Sequence, residues 1–210
     1  LVAAFGVIRG NHGLLGYETV VFFEDLLRET GRMPLGLADK WFFKVPGVRE
    51  ALVRVGGMYG SPDNAHRALT RGDLVVCYPG GAREVLKRRS EQRYRLLWEN
   101  AKGFARSALR AKVPIVPFAA AGVDDTYDIV SRMRGTGELL MGHPKYDLPV
   151  VWGRGPLPRR VPFWFRVGAP IAIPDAAPDD EAAIDALHKE AWTQTQSLLD
   201  ELMTEWRCAF

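Results

Sequence analysis

Short apolar runs alternate along this chain with stretches of helical periodicity, and that alternation restricts the fold more than any other feature of the sequence. Runs of strand length at 2–8, 33–37, 73–78, 113–119 and 161–167 are separated by helical patterns near 17–30, 62–70, 91–111 and 125–133, and a last helix is predicted near 179–206. Strands that alternate with helices pair in parallel and bury both faces under the intervening helices. The order therefore predicts an α/β fold with a mostly parallel central sheet flanked by helices. Gly31 after the first helix and Pro174-Asp175-Ala176-Ala177-Pro178-Asp179-Asp180 before the last supply the expected end signals. Between 136 and 162 the residues Pro144, Pro149, Gly153, Gly155, Pro156 and Pro158 break any regular period, which reads as a long surface loop. The strand and helix after it are too little for a second unit, so a single domain over 1–210 is expected.

With 210 residues, 47% of them hydrophobic, the chain can bury one substantial core. Its formal charge of +3 is too small to indicate nucleic acid. That excess suits anionic lipid or a phosphorylated carrier, and an ordinary solvated basic surface accounts for it as well. Cys77 lies within the apolar run Leu74-Val75-Val76-Cys77-Tyr78 and Cys208 far from it, so a buried thiol is expected rather than a disulfide framework. His12, His66, His143 and His188 show no metal-ligand spacing, and no metal is expected. The opening segment Leu1 to Ile8 is too short to span a bilayer and lacks the basic stretch of a signal peptide. Nor do about 18 uncharged apolar residues run together elsewhere, so a soluble or membrane-surface protein is expected.

Three segments carry candidate chemistry. Gly10-Asn11-His12-Gly13-Leu14-Leu15-Gly16-Tyr17-Glu18 follows a predicted strand and enters a predicted helix, a position at the carboxyl edge of a sheet where α/β folds form clefts. A histidine there can take a proton from an alcohol near neutral pH if a carboxylate fixes its tautomer, and Glu18 is placed to do so. A histidine in such a turn can equally serve as a capping or hydrogen-bonding residue. Tyr78-Pro79-Gly80-Gly81-Ala82-Arg83-Glu84 follows the strand at 73–78, and its adjacent glycines allow backbone N–H groups close to a substrate oxygen or phosphate, with Arg83 adding planar donors. It also reads as a structural turn. The third, Ala111-Lys112-Val113-Pro114-Ile115-Val116-Pro117-Phe118-Ala119, is an apolar strand whose significance lies in its order after the other two.

In that order the three segments resemble the glycerolipid and lysophospholipid acyltransferase superfamily, marked by Asn-His-x4-Asp, Phe-Pro-Glu-Gly-Thr-Arg and a Val-Pro-Ile-Val-Pro strand. The resemblance implies an O-acyltransferase in which His12 deprotonates the acceptor hydroxyl and an acidic partner orients the histidine. Here Tyr17 stands at the family's acidic position and the acid follows as Glu18, giving His-x5-Glu. Gly80 replaces the glutamate of the second block, while Gly81 and Arg83 are kept and Glu84 follows. The wording Pro-Gly-Gly-Ala-Arg-Glu is similar to the mono- and diacylglycerol acyltransferase branch. By the resemblance Gly80, Gly81, Arg83 and Glu84 are substrate-binding residues, acyl-CoA or acyl-carrier protein is a co-substrate with no further cofactor, and a lipid alcohol is the acceptor. It further implies peripheral contact with the cytoplasmic face of a membrane.

Lysophosphatidic acid enzymes carry a middle arginine that holds the acceptor phosphate, whereas the corresponding stretch here, Gly57-Met58-Tyr59-Gly60-Ser61-Pro62-Asp63-Asn64, has none. A neutral acceptor is therefore expected, with the lysophosphatidic acid reaction as the alternative. Trp41-Phe42-Phe43 and Pro162-Phe163-Trp164-Phe165 read as core, or in the first case as an acyl-chain lining or bilayer contact, and Lys87, Arg88 and Arg89 as a headgroup contact or a solvated helix face. A serine hydrolase is disfavoured, because Ser61, Ser90, Ser107, Ser131 and Ser197 all lack a nucleophile elbow. A non-enzymatic lipid-binding module remains the rival from another class.

Overall fold

A computed structural model describes residues 7–9, 16–81, 84, 93–98, 100–155 and 157–209. Six strands form one sheet: β1 (Val7–Arg9), β2 (Leu35–Ala38), β3 (Gly57–Tyr59), β4 (Val75–Cys77), β5 (Ile115–Ala121) and β8 (Trp164–Val167), in the order β3-β2-β4-β1-β5-β8. The first five are mutually parallel, and β8 closes the edge antiparallel to β5. The expected mostly parallel α/β sheet is the observed one. The central strands β4 and β5 are apolar and buried at every position because both faces are covered. In β4 the side chains alternate between two cores: Val76 joins Phe22, Phe23, Leu26, Phe118, Leu199 and Leu202, while Val75 and Cys77 join a second group. That second group holds Leu69, Phe104, Ala108, Leu109, Ile184 and Leu187. Cys77 is buried, as its neighbours predicted.

The covering helices are α1 (Tyr17–Thr30), α2 (Val48–Arg54), α3 (Pro62–Thr70), α4 (Gly103–Ala111), a short α5 (Thr136–Met141) and α6 (Glu181–Ala209). Gly31 ends α1 in the left-handed conformation at φ 67, its N–H bonded to the Leu27 carbonyl. Ser61 caps α3, its hydroxyl accepting from the Asn64 N–H, and Pro62 occupies the first turn where a missing N–H costs nothing. Over its 29 residues α6 reaches about 44 Å and serves both cores, Ile184 and Leu187 on one and Leu199 and Leu202 on the other.

Two expectations are corrected. Of the helix predicted over 91–111, the described residues are helical only from Gly103, because the backbone at 94–96 bonds to side chains instead. Tyr94, at φ 59, donates its N–H to Asp124, Leu96 donates to Gln196 Oε1, and the two carbonyls accept from Gln196 Nε2 and Trp192 Nε1. Side-chain acceptors from distant segments thus outcompete the helix ladder. The helix predicted near 125–133 is instead strand β6 (Asp128–Met133), antiparallel to β7 (Leu148–Trp152), which lies in the stretch read as a loop. Pro149 sits opposite Arg132 in this two-stranded hairpin, an edge position where a proline is tolerated. The helix α5 likewise lies in the stretch read as a loop, and α2 and β3 were not foreseen.

Candidate active site at the carboxyl edge of the sheet

In a parallel sheet all strands end at one edge, so the segments after β1, β2, β4 and β5 gather there. Central β1 lies between β4 and β5, with Arg9 level with Cys77 and Pro117. From neighbouring strands the chain departs to opposite sides, β1 toward β2 and β4 toward β5, which is the arrangement that opens a crevice between two connections. The end of β1, the start of α1 and the Tyr78-Pro79-Gly80-Gly81 turn after β4 are brought together by this topology. His12 itself lies outside the described residues, as do Arg83 and the basic run Lys87, Arg88 and Arg89.

Glu18 occupies the first turn of α1 and is only 3% exposed. The aligned peptide dipoles at a helix N-terminus favour a carboxylate there. The next residue, Thr19, donates its hydroxyl hydrogen to the Tyr78 phenol oxygen at 2.9 Å, so the start of α1 is fastened to the second block. Burial pushes the Tyr78 phenol well above the ordinary tyrosine value, the Thr19 hydrogen bond opposes this, and the negative field of Glu18 adds to it. Tyr78 is thus neutral wherever a histidine titrates, and its ring packs edge-on against Phe118. Tyr78 was quoted in the sequence only as the first residue of the Gly-Gly block. That it joins Glu18 and Thr19 to that block was not legible there, since 59 positions separate Thr19 from Tyr78.

The Gly-Gly turn has one closed and one open position. A Cβ on Gly80 would lie 2.5 Å from Glu84 Cβ and closer still to its carboxylate, so only glycine fits. Glu84 is 0% exposed, and Trp98 Nε1 donates to its Oε2 at 3.4 Å. The carboxyl group of residue 84 therefore fills the space that a side chain at 80 would take. Gly81 is left-handed at φ 50, its N–H bonded to the Tyr78 carbonyl, and among the described residues nothing stands within 4 Å of where its Cβ would be.

The middle stretch 57–64 forms β3 and the cap of α3, where Asn64 Nδ2 donates to the Tyr59 carbonyl and Ser61 accepts from Asn64. Its polar groups serve local structure. Of the aromatic clusters, Phe163, Trp164 and Phe165 pack on the core around Phe118, while Trp41, Phe42 and Phe43 follow β2 at the carboxyl edge with Phe42 exposed and Phe43 against Tyr59. Asp39, just beyond β2, accepts a hydrogen bond from Tyr146, a link between the sheet edge and the 136–147 segment that the sequence did not suggest. Among the described residues no group of His, Cys, Asp and Glu is arranged to hold a metal ion, and no helix is long and apolar enough to cross a membrane.

Comparison with known proteins gives this geometry a context. A chicken (Gallus gallus) protein described as a "DGAT1/2-independent enzyme synthesizing storage lipids" is 32% identical over 163 residues, covering 76% of this chain and 46% of its own length. An Arabidopsis thaliana protein described as "Phytyl ester synthase 2, chloroplastic" is 34% identical over 130 residues, 58% of this chain and 18% of its own. The chain thus spans about half the length of the storage-lipid relatives it matches. The crystal structure of the 1-acyl-sn-glycerophosphate (LPA) acyltransferase PlsC from Thermotoga maritima shares the fold, with a TM-score of 0.50 and 14% identity over 92% of this chain and 66% of that one. A family model described as "Diacylglycerol acyltransferase" matches residues 32–208, which takes in the Tyr78 to Glu84 block and leaves His12 and Glu18 outside the match. The chain belongs to the diacylglycerol acyltransferase family.

Proposed function

We propose that this protein is an O-acyltransferase that moves a fatty acyl group from acyl-CoA or acyl-carrier protein to the hydroxyl of a neutral glycerolipid-like alcohol at a membrane surface. The observation that carries this reading is the buried Glu18 at the start of α1, fastened through Thr19 to the Tyr78-Pro79-Gly80-Gly81 turn at the carboxyl edge. His12 precedes Glu18 in the segment entering that helix. Its imidazole takes the acceptor hydroxyl proton as the oxygen attacks the thioester carbonyl. The tetrahedral intermediate then expels the thiolate, which leaves with that proton, and an ester and a free thiol result. Glu18 holds the imidazole tautomer and balances the imidazolium. Tyr78, kept neutral by burial, serves no part as a base.

Arg83, two residues after Gly81 in the same block, is taken as the cation for the donor's carbonyl oxygen or phosphate, since the Gly81 N–H is already bonded to the Tyr78 carbonyl. Glu84, buried beneath Gly80, acts on the shape of the turn. The capped stretch 57–64 has no arginine for an acceptor phosphate, which supports a neutral acceptor, since a dianion entering a desolvated cleft needs several donors. The relatives described as synthesizing storage lipids and phytyl esters accord with acyl transfer to neutral alcohols. Competition between a monoacylglycerol or diacylglycerol and lysophosphatidic acid, at equal concentration with one labelled acyl-CoA, tests the reading. A preference for the neutral acceptor is expected, and a preference for lysophosphatidic acid would overturn this part of it.

A further inference from the structure

The hairpin of β6 and β7 turns an apolar face to solvent. Along β7, Leu148, Val150 and Trp152 point outward while Pro149 and Val151 are half-buried. The register sets Met133 opposite Leu148 and Ser131 opposite Val150, so Met133 extends the same stripe. Trp152 is 59% exposed and Met133 53%, and Val130 at the bulge is 64% exposed. A two-stranded hairpin in water ordinarily turns its polar side outward, whereas β7 sets Leu148, Val150 and Trp152 there. Nearby Leu139 and Leu157 are exposed as well.

Basic residues flank the stripe along the chain. Arg132, Arg134, Arg154 and Arg160 are exposed, whereas the acids between 129 and 160 are Glu138 and Asp147, and Asp147 accepts the Gly137 N–H. The hairpin is anchored firmly at its root, where Arg93 and Arg159 both pair with Asp128 and Arg93 also pairs with Asp125. It leaves β5 at the carboxyl edge, and the Tyr146 to Asp39 hydrogen bond ties the tip segment back to the end of β2 on that same edge.

We infer that this hairpin is the surface by which the protein docks on an anionic lipid bilayer, Trp152 and its apolar neighbours entering the interface and the arginines meeting the headgroups. A tryptophan between apolar side chains suits the headgroup boundary, and arginines at the rim keep their charge in water while their stems lie on the acyl region. Basic side chains at such a surface match anionic lipid in charge. A second copy of this chain would meet the same arginines with their own kind, and the charge pattern disfavours it. The docked edge is the one on which the candidate site lies, so a lipid acceptor reaches that site from the bilayer. The inference specifies the membrane contact of the proposed function, yet it can be tested apart from catalysis.

The test is flotation of the full chain with phosphatidylcholine vesicles containing or lacking phosphatidylglycerol, at low and high salt. Binding is expected to require the anionic lipid and to weaken with salt. Arg154→Ala and Arg160→Ala should each weaken it about fivefold, and Trp152→Ser combined with Val150→Ser roughly tenfold or more. These variants should retain transfer between short-chain, water-soluble donor and acceptor, while His12→Ala should lose transfer and keep vesicle binding. Hairpin variants that float like the wild type would overturn the inference, as would a wild type that binds no vesicle. A shift from dimer to monomer in light scattering on Trp152→Ser would instead assign the face to a second copy and overturn it too. A wild type that shows hairpin-dependent binding but no transfer would refute the proposed reaction and leave the docking surface standing.

Discussion

Glu18 and Glu84 are two buried carboxylates at one sheet edge, and their surroundings separate their roles. Glu18 stands at a helix N-terminus with a neutral phenol in its field, and on the proposed function it is the group that orients the His12 imidazole. Glu84 is enclosed by Gly80 and Trp98. His12→Ala is expected to cut transfer by about 10²–10⁴-fold without loss of the folded circular dichroism spectrum. Glu18→Gln should lose less, because an amide still hydrogen-bonds an imidazole but does not stabilise its charged form. Tyr17→Phe should leave the rate unchanged, and the reverse ranking of these two variants would reassign the acid. Activity should fall as pH drops through the range in which imidazole takes up a proton, since the base must be neutral to act. Gly80→Ala presses a methyl group onto Glu84 and should destabilise by about 1–3 kcal/mol in urea titration. Adding Glu84→Ala should relieve part of that cost, so the double variant falls short of additivity. The sequence named Gly80, Gly81 and Glu84 as one block but could not reveal that 84 occupies the room vacated at 80, because that depends on how the turn folds back on itself.

At the scale of elements, the strands and helices with clean periodicity were legible: α1, α3, α6, β4 and β5 lie within a few residues of where the apolar pattern puts them. The failures share a cause. Residues 94–96 have helical composition, yet Asp124, Gln196 and Trp192 take their backbone groups, contacts made by residues as much as about 100 positions away. Strand β6 depends on β7 in the same way, and Pro149 and Gly153 disguised that partner as loop. Tyr94→Phe tests this reading of the segment. The Tyr94 hydroxyl accepts from the Gly122 N–H and donates to Asp125 at 2.5 Å, so its removal leaves a buried donor unsatisfied and should cost about 1–3 kcal/mol in chemical denaturation. In the core, Phe118 stacks on Phe22 with ring centroids 4.3 Å apart and is 1% exposed. Phe118→Ala should therefore cost about 3–5 kcal/mol by the same measurement.

Across the whole molecule the sheet order brings the chemistry together. Because β1 is central and parallel to β4 and β5, segments from the beginning and middle of the chain end on one edge, and the β6–β7 hairpin leaves from that edge as well. The proposed reaction, between a polar thioester carrier and an apolar alcohol, needs both an aqueous approach and a lipid one, and with the proposed docking surface this placement would offer them at one site. The most direct measurement is to incubate the protein with labelled acyl-CoA and a monoacylglycerol or diacylglycerol, and to identify the labelled product in wild type and His12→Ala. The account predicts a labelled neutral ester, with free thiol released in equal amount, that the His12→Ala protein does not form. Free fatty acid as the sole labelled product, no labelled product at all, or undiminished ester formation by a folded His12→Ala protein would contradict it.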